Sequence, residues 1–286
     1  MASTTIDVVW NGLTMSHEGP YKVGRISGWD ELPAPRLDEV NRPNAHGAFD
    51  APVWAGAKHV VVEGYCIDQN SRDALLTGLG ATFSYGGDVA LAPLQVTFAG
   101  RTLTSQARLL RFGTVLDMYG VGHFKWQAEW FCPDPQRYGP TLTASTGIGG
   151  GGTQGLAFPL FDVTGNLEFG ALGTPGTVTV TNTGSSPAWP TFKVDGQVTG
   201  GFVLAELATG KVLRWDSDVP TGTSVVMNSL TGAVSFAGVA GYDGALTTRQ
   251  WWPIPAGGSS TVQFSSLGSP NVGALLTVSW ATAYWL

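Results

Sequence analysis

Charge is scarce in this sequence. Lys, Arg, Asp and Glu make up 13% of it, about half of the ~25% usual in soluble domains. Only 15 of the 286 residues are basic and the net charge is -6. A chain with so little to neutralise phosphate is a poor reader of DNA or RNA, so no sequence-specific nucleic-acid partner is expected. Cysteine is almost absent. Cys66 and Cys132 each sit inside an apolar, β-like run. Two small buried reduced side chains are the plain reading, and a disulfide or a metal site is the other. The four histidines, His17, His46, His59 and His123, are scattered singly, and none has a second ligand at metal spacing. No stretch approaches the ~18 uninterrupted apolar residues of a membrane helix, so membrane insertion is not expected. The first ten residues hold no Lys or Arg and no apolar core of a secretory signal, which predicts a soluble product made in the cytoplasm.

Catalytic motifs are missing as well. There is no Gly-x-Ser-x-Gly, no His-Glu-x-x-His and no Walker loop, since Gly210-Lys211 is followed by Val212. The sequence therefore predicts no catalytic residue, no metal, no cofactor and no enzyme. Two carboxylate arrangements bear on this. Asp216 and Asp218 could chelate calcium or serve as a glycosidase pair, but the Pro-Thr-Gly that follows marks a turn, where Asp bonds local backbone. Glu129 lies between Trp126 and Trp130, yet strand alternation puts both indoles on one face and the acid on the other.

What is abundant is glycine and tryptophan. Glycine numbers 40, about 14% of the chain against an average near 7%. Hydrophobic content of 43% with a small net charge excludes disorder, and the length suggests two domains. The charge distribution divides them. Residues 1–139 carry 11 basic and 14 acidic residues, whereas 140–286 carry 4 and 7. Between the halves lies Gly149, Gly150, Gly151 and Gly152, closing at Gly155. The segment contains G-x-G-x-x-G spacing, but no helix signal follows it, so it reads as a flexible linker rather than a dinucleotide site. The domains are accordingly set at 1–142 and 156–286, with a linker over 143–155.

The first domain reads as mostly strand, at 6–10, 21–27, 58–67 and 94–98, with a tight hairpin over 98–102. Two longer strands near 102–116 and 121–132 form a ribbon across Asp117-Met118-Tyr119-Gly120. One helix is expected, opening at Asn70 as N-cap, burying Leu75, Leu76 and Leu79, and stopping at Gly80. Residues 28–57 show no period at all. Trp29, Leu32, Pro33, Leu37, Phe49 and Trp54 lie there among prolines and charges, and so long an irregular stretch in a compact domain is uncommon unless functional. Its apolar side chains need a surface, which predicts an arm packing on a neighbouring subunit.

The second domain reads all-β, with short strands at steady intervals from 177 to 285, the pattern of a two-sheet sandwich. Eleven tryptophans serve either as core and interface anchors or as stacking platforms for sugar. Those at Trp251-Trp252 and at Trp280 lie in or beside strands, which favours core and interface.

The order of these features resembles the siphovirus distal tail proteins, including minor tail proteins of actinobacteriophages. In the first half the resemblance is carried by Arg42 to Gly47 leading into Val60-Val61-Val62-Glu63-Gly64, the Asp-Asn helix, and Trp130-Phe131-Cys132-Pro133-Asp134-Pro135 followed by Tyr138. In the second it is carried by Pro190-Thr191-Phe192-Lys193-Val194-Asp195-Gly196, the stretch Thr221 to Asn228 with Leu230-Thr231-Gly232, and Trp252-Pro253-Ile254-Pro255-Ala256-Gly257. Met227-Asn228 departs from the pattern, where an apolar residue and Asp are expected. The resemblance implies a mainly β chain, a tail-tube-like N-terminal β-sandwich with one helix plus a C-terminal galectin-like β-sandwich. It further implies a structural virion protein at the tail tip, a homo-oligomeric ring of six copies partnered by the tail tube protein and the tail-tip proteins. From a different class, a carbohydrate-binding adhesin for host cell-wall glycan is the alternative.

Overall fold

The computed structural model describes residues 5–83, 90–115, 122–149, 156–161, 167–169, 176–268 and 273–286. Contacts between Cα atoms divide the chain into two compact units, Met1–Pro140 with Tyr284–Leu286, and Thr141–Ala283. Along the chain come β1 (Ile6–Trp10), β2 (Leu13–Ser16), β3 (Tyr21–Ser27), β4 (Pro35–Arg36), β5 (Trp54–Ala55), β6 (Lys58–Cys66), α1 (Gln69–Gly80), β7 (Ala92–Phe98), β8 (Arg101–Val115), β9 (Phe124–Cys132) and β10 (Arg137–Gly147). There follow β11 (Leu156–Phe161), β12 (Leu167–Phe169), β13 (Thr177–Asn182), β14 (Thr191–Asp195), β15 (Phe202–Glu206), β16 (Val212–Trp215), β17 (Ser224–Asn228), β18 (Val234–Phe236), β19 (Val239–Ala240), β20 (Leu246–Arg249), β21 (Gly258–Ser266) and β22 (Leu275–Tyr284). Among the described residues the chain is mainly β with one helix, as the sequence predicts.

Two antiparallel sheets build the first unit, and β8 belongs to both. Its first half, from Arg101 to Ala107, pairs with β7, which continues to β1 and β2. Its second half, from Arg108 to Val115, pairs with β9, which continues to β6 and β3. Strict alternation sorts the side chains: in β9, Phe124, Trp126, Ala128, Trp130 and Cys132 point inward while Lys125, Gln127 and Glu129 point out. The inner set meets Val8, Trp10, Val60, Val62, Leu94 and Val96 in one core. Trp10 and Trp130 touch edge to face at 5.9 Å. The tip of the ribbon between β8 and β9, Asp117 to Gly120, lies outside the described residues.

The helix begins two residues earlier than its sequence predicts. Asp68, not Asn70, is the N-cap, because its carboxylate accepts the backbone N–H of Ser71 at 2.7 Å and the Ser71 hydroxyl at 3.0 Å. Leu75 and Leu79 are fully buried and Leu76 only partly. Replacing Asp68 by Ala should cost about 1 kcal/mol of stability, read as a lowered urea midpoint, while Asp68→Asn should keep most of it. Both cysteines are free and buried, and burial raises both thiol pKa values, that of Cys66 to about 11.

In the second unit, one sheet runs β13-β21-β15-β16-β20, and β14 lies between β17 and β22, with β18 and β19 beyond β17. The sheets face each other. Trp215 of β16 meets Phe236 of β18 at 5.8 Å, and the Trp280 indole of β22 donates to the Thr181 carbonyl of β13 at 2.9 Å. Phe192, Phe202, Leu204, Val225, Phe264 and Leu276 fill the space between. Residues 143–147, read from composition as linker, continue β10. Ile148 is buried, and the Gly149 N–H donates to Phe264 O at 2.7 Å. Gly150, Gly151 and Gly152 lie outside the described residues.

Candidate functional site

Residues 28–57 are neither a helix nor a shapeless loop. They fold back on themselves as a thin antiparallel ladder: Pro35 and Arg36 of β4 pair with Ala55 and Trp54 of β5, and Asn41 bridges to Ala48. Backbone bonds from Gly56 to Ala34 (2.8 Å), Phe49 to Val40 (2.9 Å) and Arg42 to Gly47 (3.1 Å) make the rungs. At the turn the Arg42 guanidinium lies 5.8 Å from the Phe49 ring centre. The rungs are short and interrupted by proline, so the ladder never acquires the two-residue hydrophobic period of a packed strand.

This ribbon carries an exposed apolar row. Leu32 is 66% exposed, Trp54 65% and Phe49 55%, with Val40, Val53 and Leu37 alongside. Single exposed apolar residues are ordinary, but so many within one short segment are the mark of an interaction surface.

Trp29 differs from the rest of the predicted set. It is only 5% exposed and belongs to the core of the first unit, so it anchors the arm rather than decorating it. The root is tightly specified. Gly28 has φ of 76°, and a Cβ there would stand 1.9 Å from the His59 carbonyl oxygen, so only glycine fits. Behind Trp29 stands the buried Arg137, its guanidinium 5.3 Å from the indole ring centre and paired with Asp30. The buried Lys58 ammonium donates to the carbonyls of Trp29 (3.2 Å) and Trp285 (3.3 Å). Burial first, and the neighbouring Arg137 charge second, lower the Lys58 pKa to about 8. Both ends of the ribbon are thus fixed while its length stays uncovered. Pro33 is partly buried near the root.

The carboxylates singled out by sequence take local roles. Asp216 bonds Arg214 and the Thr247 hydroxyl, which hold its pKa low, and Asp218 accepts the Gly200 N–H at 2.6 Å. Glu129 accepts from His59 Nδ1 at 2.9 Å on the face opposite Trp126 and Trp130. Among the described residues no group of three His, Cys, Asp or Glu side chains could hold a metal ion. In the second unit Trp215, Trp252 and Trp280 are buried, Trp251 is partly so, and Trp189 is exposed. What the sequence did not reveal is Arg137 as partner of Trp29. No local signal links residues so far apart in the chain.

No family model and no curated protein matches this sequence. Among solved structures, the chain is similar in fold to the Dit protein of phage SPP1, described as a paradigm of the hub adsorption apparatus in phages infecting Gram-positive bacteria. The alignment has a TM-score of 0.67 at 12% identity and covers 97% of this chain and 98% of that one. Two structures of the phage P2 baseplate in its activated conformation, with Ca and with Sr, align at TM-scores of 0.47 and 0.46. Their identities are 7% and 6%, over 96% and 93% of this chain and 97% and 99% of theirs.

Proposed function

We propose that this chain is a distal tail protein, a structural part of a phage tail tip whose copies close into a ring between the tail tube and the tip proteins. The observation that carries the reading is the apolar ribbon of residues 28–57, held rigidly at its root and uncovered along its length, on a fold that aligns end to end with the SPP1 hub protein. A ring of six follows the resemblance noted in the sequence. In this reading Leu32, Pro33, Leu37, Phe49 and Trp54 are the inter-subunit contacts and Trp29 is their anchor. The second unit braces or decorates the ring without chemistry of its own. Burial of Trp215, Trp252 and Trp280 in its core supports a scaffold over a glycan-binding module, which would need its tryptophans on the surface.

The test is the mass and shape of the purified chain. Light scattering at tens of micromolar should give a multiple of the 30.0 kDa protomer, and negative-stain class averages should show a closed ring with a central opening. A monomer at every concentration would overturn the reading.

A further inference from the structure

The outer face of the β3-β6-β9-β8 sheet has a charge opposite to that of the chain as a whole. Alternation and register place Lys22, Arg25, Arg108, Arg111 and Lys125 on it, against two acids, Glu63 and Glu129. Among the described residues, five cations and two anions give this face +3 in a chain of net -6. Its acids already have partners, since Glu129 accepts from His59 and Glu63 from Gln127 at 3.2 Å. Among the described residues, Arg25 and Arg111 have no ion-pair partner, and both are exposed. Tyr65 and Val115 add exposed apolar surface between the charges.

The arm is its complement. Residues 28–57 hold Asp30, Glu31, Asp38, Glu39 and Asp50 against Arg36 and Arg42, a net of -3. The Phe49 to Val40 hydrogen bond brings Glu39 and Asp50 to neighbouring positions, beside the exposed Val40 and Phe49. Within one protomer the arm and the face are exposed together, so the arm does not cover its own sheet. We infer that the arm of one copy docks on the basic β3-β6-β9-β8 face of a second copy. The two surfaces are different, so a one-way contact is head to tail and closes as a ring, whereas a reciprocal exchange of arms ends at a dimer; the ring reading above selects the first. The inference rests on the ring reading above and adds to it the receiving surface.

Charge exchange tests it. One variant carries Arg25→Glu with Arg111→Glu, a second Asp38→Lys with Glu39→Lys, and a third all four changes. All are at exposed positions, and near-ultraviolet circular dichroism checks that each keeps its fold. Each double variant should need at least about tenfold more protein than the parent to assemble, because like charges then meet across the contact. The fourfold variant, with a basic arm on an acidic face, should recover most of that loss. If the double variants assemble as the parent does, or the fourfold variant recovers nothing, the docking surface is wrong while the ring reading stands. If the parent itself never assembles, both fall. If face reversal leaves assembly intact but abolishes retention of a random-sequence DNA duplex at low salt, the face serves phosphate and the inference is overturned.

Discussion

A chain lacking residues 35–55, with Ala34 rejoined to Gly56 through an Asn-Gly turn, should fold normally and remain a monomer at concentrations where the parent forms rings. The junction is already prepared, since Gly56 donates to the Ala34 carbonyl at 2.8 Å, so a two-residue turn closes it without strain. The core should not register the loss. Leu37, Val40, Phe49, Val53 and Trp54 are among the exposed large hydrophobic residues and contribute nothing to the buried cluster, whereas Trp29 stays in place. Burying such side chains fully is worth about 1.5–3 kcal/mol each. Even partial burial of the row amounts to on the order of 5 kcal/mol per contact, a more than thousandfold change in affinity. Light scattering reads the assembly and thermal denaturation reads the fold. A shortened chain that still makes rings would show that the subunits are joined elsewhere.

The second large effect concerns stability. Trp130 is fully buried, with Val60 opposite it on one neighbouring strand, Leu109 on the other, and the Trp10 ring against its edge. Trp130→Ala should destabilise the first unit by about 3–5 kcal/mol, through lost transfer energy and the cavity left behind. The buried Trp130 indole N–H has no hydrogen-bond partner among the described residues, so the cost is one of packing, and Trp130→Phe should retain a good part of the stability. Equilibrium urea unfolding followed by near-ultraviolet circular dichroism measures it. A loss below about 1 kcal/mol would mean that the two sheets are not locked together at this point.

Where hydrophobic period and turn chemistry agreed, the sequence was enough. Strands β1 and β3 begin and end where alternation predicts, and the 98–102 hairpin closes through Ala99 and Gly100, both at positive φ. Other features were hidden for identifiable reasons. The Asn11-Gly12 turn, at φ of 45° and 81°, joins β1 to a strand too short to show its own period. The helix cap slipped because Asp68 and Asn70 are both good caps, and only the contact with Ser71 decides between them. The arm was legible as an anomaly but not as a ladder. Its rungs are set by backbone bonds that no side-chain pattern reports, and Trp29 could be told from Trp54 only by the distant Arg137 and Lys58. The basic face escaped for a related reason. Its cations come from three stretches of sequence, and a net charge averages them away.

The pairing of β6 with β9 sets an order of events during synthesis. Lys58 lies opposite Cys132, so β6 cannot complete its sheet until the whole of β9 has left the ribosome. At roughly 5–20 residues per second, that is a wait on the order of several seconds. Through that interval the apolar side of β6, Val60, Val62 and Cys66, lacks its cover, and the arm has just emerged ahead of it with an exposed apolar row of its own. Nascent chains translated side by side would therefore present sticky segments to one another before any native joint exists. Slow translation, or crowded polysomes during overproduction, should favour aggregates at this stage, and a bound chaperone should relieve them.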